Sequence, residues 1–446
     1  MFESVLVANR GEIASRIIRT ARSLGVKTIA VYSEADAALP FVSEADDAVL
    51  IGPADPARSY LNVPAVLEAA RRTNARAVHP GYGFLAESAP FAEAVAAQGR
   101  VWIGPPPDVI ARMSDKINAR NTMEAAGVPV APATSAPVPD ADAAVREARR
   151  IGYPVFVKPS AGAGAAGMGV ARDDEALRAA YATARRSALA LFHRADVMIE
   201  RYVENARHVE VQILGLHDGT VVTLGDRDCS VQRRHQKVIE ESPSPGVSAE
   251  LRERMLAAAV RAGEAVGHLG VGTVEFLVDP AARDFVFLEL STRLQVEHPV
   301  TEMVTGVDLV EAQFRIAAGE PLPSEVPAPR GHAVEFRVYA EDPRRFLPAS
   351  GEIKVWEEPV GDGIRIDAGY AEGDTVTTHY ATLLAKLCVH GDDRDHALSR
   401  ARAALGAFRI EGPATNLPFL ADVLDDPGFA SGDYDVGLVA RMTGSP

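Results

Sequence analysis

Glu275 and Glu289 lie in two apolar-rich segments, TVEFL at 273–277 and FVFLEL at 285–290, that read as the arms of one hairpin. A register with residue 279 opposite 285 sets the two glutamates across from each other, with Cβ atoms roughly 5 Å apart. Carboxylates that close repel, so one is protonated unless a cation lies between them. Oxygen-only ligands favour Mg2+ or Mn2+, commonly shared with substrate phosphates. The competing reading is an ordinary salt bridge from each glutamate to a nearby arginine. Just beyond, Arg293, Gln295 and Glu297 recur at period two. On a strand they would share one face and bring a guanidinium, an amide and a carboxylate together past the proposed metal pair.

Three other segments carry candidate chemistry. YPVFVK at 153–158 reads as a strand ending in Lys158, and SAGAGAAGMG follows at 160–169. Small residues let backbone N–H groups approach a phosphate, and the lysine adds a point charge. A tight surface turn fits the same residues. The loop is not a Walker A motif, because no Gly-Lys-Ser/Thr closes it. In RHVEVQI at 207–213, Val209, Val211 and Ile213 face one way and His208, Glu210 and Gln212 the other; alone this reads as a half-exposed strand. Between 227 and 237 stand Arg227, Arg233, Arg234, His235 and Lys237, flanked by Val231, Val238 and Ile239. A solvated charge run and an anchored anion-binding loop both remain open there.

The elements that must position these residues fall into an order. VLVA at 5–8 reads as a buried strand, and Ile13, Ile17, Ala21 and Leu24 follow at helical spacing until Gly25. TIAVY at 28–32, ARAVH at 75–79 and VWIG at 101–104 read as further strands with helices between them. That alternation implies an α/β doubly wound parallel sheet over roughly the first 110 residues. No G-x-G-x-x-G follows the first strand, so a dinucleotide is not implied. The expected units are 1–113, 114–329 and 330–446. Within the second, a loose Pro/Ala stretch at 129–139 reads as a hinge for a small βαβ-like lid at about 131–204. Alternating strands from 205 to 300 suggest an antiparallel sheet. PLPSEVPAP at 321–329 reads as a linker, and a mixed α/β unit follows.

At 446 residues the chain needs more than one core. No apolar run reaches the roughly 18 residues that span a bilayer. MFESVLVANRGE lacks the pattern of a signal peptide, so a cytoplasmic location is expected. Cys229 and Cys388 alone make neither a disulfide framework nor a zinc site. The formal charge of −15 argues against nucleic-acid binding and means that any anion site needs local cations.

Taken together, these segments resemble the biotin carboxylases of the ATP-grasp superfamily along nearly the whole chain. The likeness includes ANRGEIA at 8–14, HPGYGFL at 79–85, IGYPVFVK at 151–158 and RHVEVQ at 207–212. It continues in RDCSVQRRHQKV at 227–238, TRLQVEHPVTEMVTGVDL at 292–309 and RGHAVEFRVYAEDP at 330–343. The resemblance implies a Rossmann-like first domain, an ATP-grasp domain with a mobile lid and a C-terminal biotin carboxylase domain. It implies ATP held by Lys116, Lys158, Gly164, Gly167, Met168, Glu200, Val203, His208, Gln232, His235 and Leu277. Glu275, Glu289 and Ser291 would hold Mg2+ or Mn2+. Lys237, Arg293, Gln295 and the Val296 backbone would position bicarbonate, with Glu297 as general base. Arg337 would stabilise the biotin enolate, and Tyr82 would lie near biotin.

Carboxyphosphate would be the short-lived intermediate. No Ala-Met-Lys-Met biotinylation motif occurs in the chain, so biotin would arrive on a separate carrier protein. The implied partners are that biotin carboxyl carrier protein and a carboxyltransferase subunit, with the chain itself a homodimer. The activity would be the first half-reaction of an acyl-CoA carboxylase, such as the acetyl-CoA enzyme of fatty acid synthesis. The sequence departs from the family at Ala161, Ala163 and Ala165, where glycines are usual, and at Ala166, where arginine is usual. It also has Ser291 for asparagine and Ala381 for aspartate. Two other readings stay open: a carboxylase acting on a small amine or amide, and a non-catalytic nucleotide-binding homologue that assembles a complex.

Overall fold

The structure is a computed structural model that describes residues 1–161, 167–192, 194–322 and 327–444. Gly164 and the departures at Ala163, Ala165 and Ala166 lie outside the described residues. The first sheet is parallel, in the order β3-β2-β1-β4-β5. Its strands are β1 (Ser4–Val7), β2 (Lys27–Ser33), β3 (Asp47–Gly52), β4 (Ala77–His79) and β5 (Val101–Trp102). The helix Gly11–Ser23 buries Ile13, Ile17 and Ala21 at the expected spacing. The doubly wound reading therefore holds, with β3 as a strand that the sequence pattern did not single out.

The lid segment pairs differently from a βαβ unit. Strands β6 (Val155–Pro159), β7 (Gly169–Ala171) and β8 (Val197–Arg201) form an antiparallel sheet in the order β7-β6-β8. The Pro/Ala stretch before it is not loose. Val130 bridges to Phe287, and Ala133 bridges to Glu200. The connector is thus stitched both to the lid and to the body behind it.

An eight-stranded sheet carries the centre of the molecule, in the order β13-β12-β9-β10-β11-β14-β19-β17. Its strands are β9 (Arg207–Gly215), β10 (Val221–Arg233), β11 (Gln236–Ser242), β12 (Gly270–Asp279), β13 (Asp284–Ser291), β14 (His332–Tyr339), β17 (Ile364–Ala368) and β19 (Leu383–Gly391). Two short pairs flank it, β15 (Gly351–Glu352) with β18 (Thr375–Val376) and β16 (Val355–Glu357) with β20 (Arg409–Glu411). The strands after the linker continue the same sheet instead of starting a new one. No helix among the described residues is long and apolar enough to cross a membrane.

The sheet has one apolar and one polar face. Val209, Val211 and Ile213 join Val274, Phe276 and Val278 in a core packed against the helix Ala249–Val266. The opposite face of β9 is also fully covered, which overturns the half-exposed reading: Glu210 and Gln212 are 0% exposed. Burying that face is costly unless every polar group is paired, and the pairs define the site.

Candidate active site

The two central glutamates do face each other, by a different register from the expected one. Asp279 pairs with Asp284, not with residue 285, and a bulge then leaves Leu288 unpaired, so that Glu275 comes to lie opposite Glu289. Glu275 is ordered on both oxygens. His208 Nε2 lies 2.6 Å from Oε2, while Ser291 Oγ and Gln295 Nε2 donate to Oε1 at 3.1 and 2.7 Å. Gln232 Nε2 donates to His208 Nδ1 at 2.6 Å, which leaves the ring proton on Nε2, facing the carboxylate.

Glu289 is half-buried, and burial followed by the charge of Glu275 pushes its carboxyl up to about 7. Burial works the same way on Glu275, but Lys237 and His208 outweigh it and hold that carboxyl below its ordinary value. Two carboxylates set face to face repel, and a cation held between them would relieve that repulsion. The donors available are the oxygens of Glu275, Glu289 and Ser291, a hard set that fits Mg2+ or Mn2+.

Lys237 is the hub of the next cluster. Its Nζ lies 2.6 Å from Glu297, 2.7 Å from Glu210 and 3.4 Å from Glu275. Burial opposes its charge, and its neighbours Cys229, Glu210, Glu275 and Glu297 overcome that, holding it well above the usual lysine range. Glu297 is 0% exposed and also accepts from Arg337 at 2.9 Å. Burial pushes its carboxyl up, but Lys237, Arg337 and Arg227 hold it well below the ordinary value.

Arg293, Gln295 and Glu297 do not lie on a strand. They line a loop after β13, and Glu297 immediately precedes the helix His298–Thr305, its side chain making no capping bond there. The loop still brings Arg293 to Gln295, at 3.0 Å. The Val296 carbonyl accepts from Lys386 at 2.9 Å, and the same ammonium stands 5.9 Å from the Tyr82 ring. Tyr82 is therefore near the loop that carries Val296 and Glu297 although it comes from the first domain.

The remaining candidates border this centre. Leu277 pairs with His208 across β12 and β9. Lys158 and Glu200 pair across the lid sheet, and Val203 is half-buried just past β8. The His235 ring is 6.2 Å from Phe156, the lid residue whose ring also carries Lys158 at 5.0 Å. Burial lowers Lys116, and the neighbouring charge of Glu289 opposes that, so Lys116 borders the facing glutamates. Gly167, ahead of Met168, has φ +75, and a Cβ there would come within 2.4 Å of Ser187 Cβ. A side chain at that position cannot be accommodated without moving the helix behind it.

Sequence reasoning left four partners without a role. Glu210 pairs with Arg227 at 2.6 Å as well as with Lys237. Glu240 holds Arg337 Nε at 2.7 Å. Glu87 accepts from Arg293 at 3.0 Å, and Cys229 Sγ lies 3.8 Å from Glu297. Glu210 was visible as the middle member of a polar face; Glu87, 206 residues from its partner, gave no local signal.

The chain matches three family profiles: biotin carboxylase N-terminal domain over residues 1–110, the ATP-binding domain of the carbamoyl-phosphate synthase L chain over 115–325, and biotin carboxylase C-terminal domain over 335–441. It is 49% identical to the biotin carboxylase of Halalkalibacterium halodurans, over 99% of this chain and 98% of that one. The biotin carboxylase of Campylobacter jejuni, in a complex described as β-γ-ATP, superposes with a TM-score of 0.97 at 41% identity, covering 99% of both chains. The biotin carboxylase domain dimer of Hydrogenobacter thermophilus 2-oxoglutarate carboxylase, solved with MgADP, ADP and bicarbonate, gives 0.95 at 41% identity over 99% of this chain and 98% of that one. By profile, by identity along its whole length and by fold, the chain belongs to the biotin carboxylase family of ATP-grasp ligases.

Proposed function

We propose that this chain carboxylates biotin on a separate carrier protein, with ATP and bicarbonate as co-substrates. One observation carries the reading: a buried carboxylate, Glu297, shared by Lys237 and Arg337 next to a facing pair of glutamates. Glu275 and Glu289, with Ser291, would hold Mg2+ or Mn2+, which would neutralise the β- and γ-phosphates. Lys116 and Lys158 would add charge to the same phosphates. The nucleotide would lie along Gly164, Gly167, Met168, Glu200, Val203, His208, Gln232, His235 and Leu277.

Bicarbonate would take Lys237, Arg293, Gln295 and the Val296 backbone. In the resting site Glu297 is a weak base, because two cations stabilise its anion. When bicarbonate draws Lys237 away, that stabilisation drops and the carboxylate becomes able to accept the proton. The deprotonated bicarbonate oxygen then attacks the γ-phosphorus, the bond to the β-phosphate oxygen breaks, and ADP leaves carboxyphosphate behind. Carboxyphosphate splits to CO2 and phosphate, and phosphate takes the ureido proton of biotin. Arg337 stabilises the enolate, whose nitrogen attacks CO2, with Tyr82 beside the ring. Water must be excluded throughout, and residues 131–204 act as the lid that does so. The working divisions are 1–113, 114–329 and 330–446.

The product suits the first half-reaction of an acyl-CoA carboxylase, possessing a carrier protein and a carboxyltransferase subunit, with this chain as a homodimer. The test is ATP hydrolysis with and without bicarbonate, and with and without free biotin. Hydrolysis should depend on bicarbonate, and free biotin should stimulate it and become carboxylated. Hydrolysis indifferent to bicarbonate would overturn the reading; bicarbonate dependence with stimulation by a small amine and none by biotin would change the acceptor.

A further inference from the structure

A cavity of about 750 Å³ opens beside the β10–β11 turn, walled by Tyr202, Gln236, Phe346 and the C-terminal segment around Val439. Its rim is basic. Arg234, Arg344 and Arg345 are all exposed on it. Arg234 and Arg344 have no side-chain hydrogen bond or ion pair among the described residues. Arg345 meets Asp342 only at 3.6 Å, with 77% of its side chain exposed. Arg233, by contrast, is fixed as part of the wall, paired with Glu341 at 3.0 Å and stacked 4.5 Å over Phe346.

Three features say what kind of ligand this rim suits. Leu347, two residues beyond Arg345 in the chain, is 56% exposed. An apolar anchor among free arginines is the makeup of a protein-binding patch, whereas a small anion calls for cations that converge on one buried point. The backbone holds these side chains in place at some cost: Arg234, His235 and Phe346 have φ of 50°, 66° and 56°. Two-residue hairpin turns of that shape normally use Asn-Gly, and here they carry Arg-His. The rim also lies close to the reacting centre. Gln236 Nε2 donates to the Tyr339 hydroxyl at 3.1 Å, and Tyr339 stands two residues along β14 from Arg337.

We propose that the rim formed by Arg234, Arg344, Arg345 and Leu347 docks an acidic face of the biotin-bearing carrier domain. The proposal rests on the biotin carboxylase reading above. Biotin must reach Glu297 and Arg337, which are 0% and 7% exposed, so its carrier has to settle against the opening beside them. The chain as a whole carries −15, which repels an acidic partner everywhere except at a local basic patch. Such a patch steers the partner's approach and fixes its orientation.

The test compares free biotin with a biotinylated carrier domain of net negative charge, for the wild type and for the double variant R344E/R345E. The KM for the carrier should rise about tenfold or more in the variant, and its dependence on salt should flatten. The kcat and KM for free biotin, and the KM for ATP, should stay within about twofold, because neither arginine belongs to the reacting centre. A carrier domain with its acidic face changed to lysine should recover the variant. An unchanged carrier KM, or an equal loss with carrier and free biotin, would overturn docking at this rim. A rise confined to the KM for ATP would give the rim to the nucleotide instead. A wild type that never carboxylates free biotin would strike the functional reading first and docking with it, a result distinct from all of these.

Discussion

Glu297→Gln keeps the size of the side chain and removes the anion that Lys237 and Arg337 share. The carboxylate accepts from Lys237 at 2.6 Å and from Arg337 at 2.9 Å. An amide offers one acceptor and one donor, so in either orientation one of the two cations faces an N–H. Neither cation is stranded, however. Lys237 keeps Glu210 at 2.7 Å, and Arg337 keeps Glu240 at 2.7 Å. The stability cost is therefore that of one charged hydrogen bond, about 1.5–3 kcal/mol, and not the 3–5 kcal/mol or so of an unpaired buried charge.

The kinetic cost is larger. A positioned general base contributes roughly 10²–10⁴-fold, or about 2.7–5.4 kcal/mol of barrier. The variant should melt as a folded protein and bind ATP within about threefold of the wild type, since Glu297 is assigned to the proposed bicarbonate site and not to the nucleotide. Its bicarbonate-dependent release of ADP at saturating ATP should fall by two to four orders of magnitude. The assays are a thermal melt, ATP titration and steady-state ADP release on one preparation. A loss confined to ATP affinity, or a turnover loss below about tenfold, would remove Glu297 from the role of base.

Glu289→Lys places an ammonium where the facing glutamates call for a divalent cation; ATP turnover should collapse with the fold intact, and unchanged turnover would refute the metal assignment. Arg337→Ala should cut carboxybiotin formation more than bicarbonate-dependent ATP cleavage, and equal loss in both would show that Arg337 acts before the enolate forms. Glu241 gives a stability prediction: burial pushes its carboxyl up, but His332 and Arg394 outweigh that and take it from 4.5 down to about 2. Because the folded value is the lower one, this stabilisation is present above pH 4.5 and is lost as pH falls from there towards 2. Glu241→Gln should then cost roughly 3 kcal/mol in urea melts at pH 7, with the gap to the wild type narrowing in acid; a gap independent of pH would show that packing, not charge, is what Glu241 supplies.

The legible parts of this chain were those that repeat a short-range pattern. The apolar and polar alternation in 207–213 set both faces of β9, and the spacing of Ile13, Ile17 and Ala21 set the first helix. What failed was inference about surroundings. A strand with His208, Glu210 and Gln212 on one face looks half-exposed until Arg227, Lys237 and Glu275 arrive from three other strands to cover it. Register was half legible: the facing glutamates were right, while the bulge at Leu288 that aligns them has no mark in the sequence. The period-two run from Arg293 to Glu297 is no strand face: the loop bends at Arg293 and turns at Val296 and Glu297, and it is a hydrogen bond that brings Arg293 to Gln295.

Lys237 links the two halves of the site, and this bears on the order of events. It touches Glu297, the proposed base, at 2.6 Å and Glu275, one of the proposed metal ligands, at 3.4 Å. In the proposed mechanism Glu275 would hold a divalent cation, which would neutralise one of the anions around the ammonium and leave it to Glu210 and Glu297. Bicarbonate bound beside Lys237 would compete with Glu297 for that ammonium, and the carboxylate would gain basicity to the extent that it lost the pair. Glu297 would therefore stay a weak base until bicarbonate is in place, which would disfavour idle loss of ATP to water.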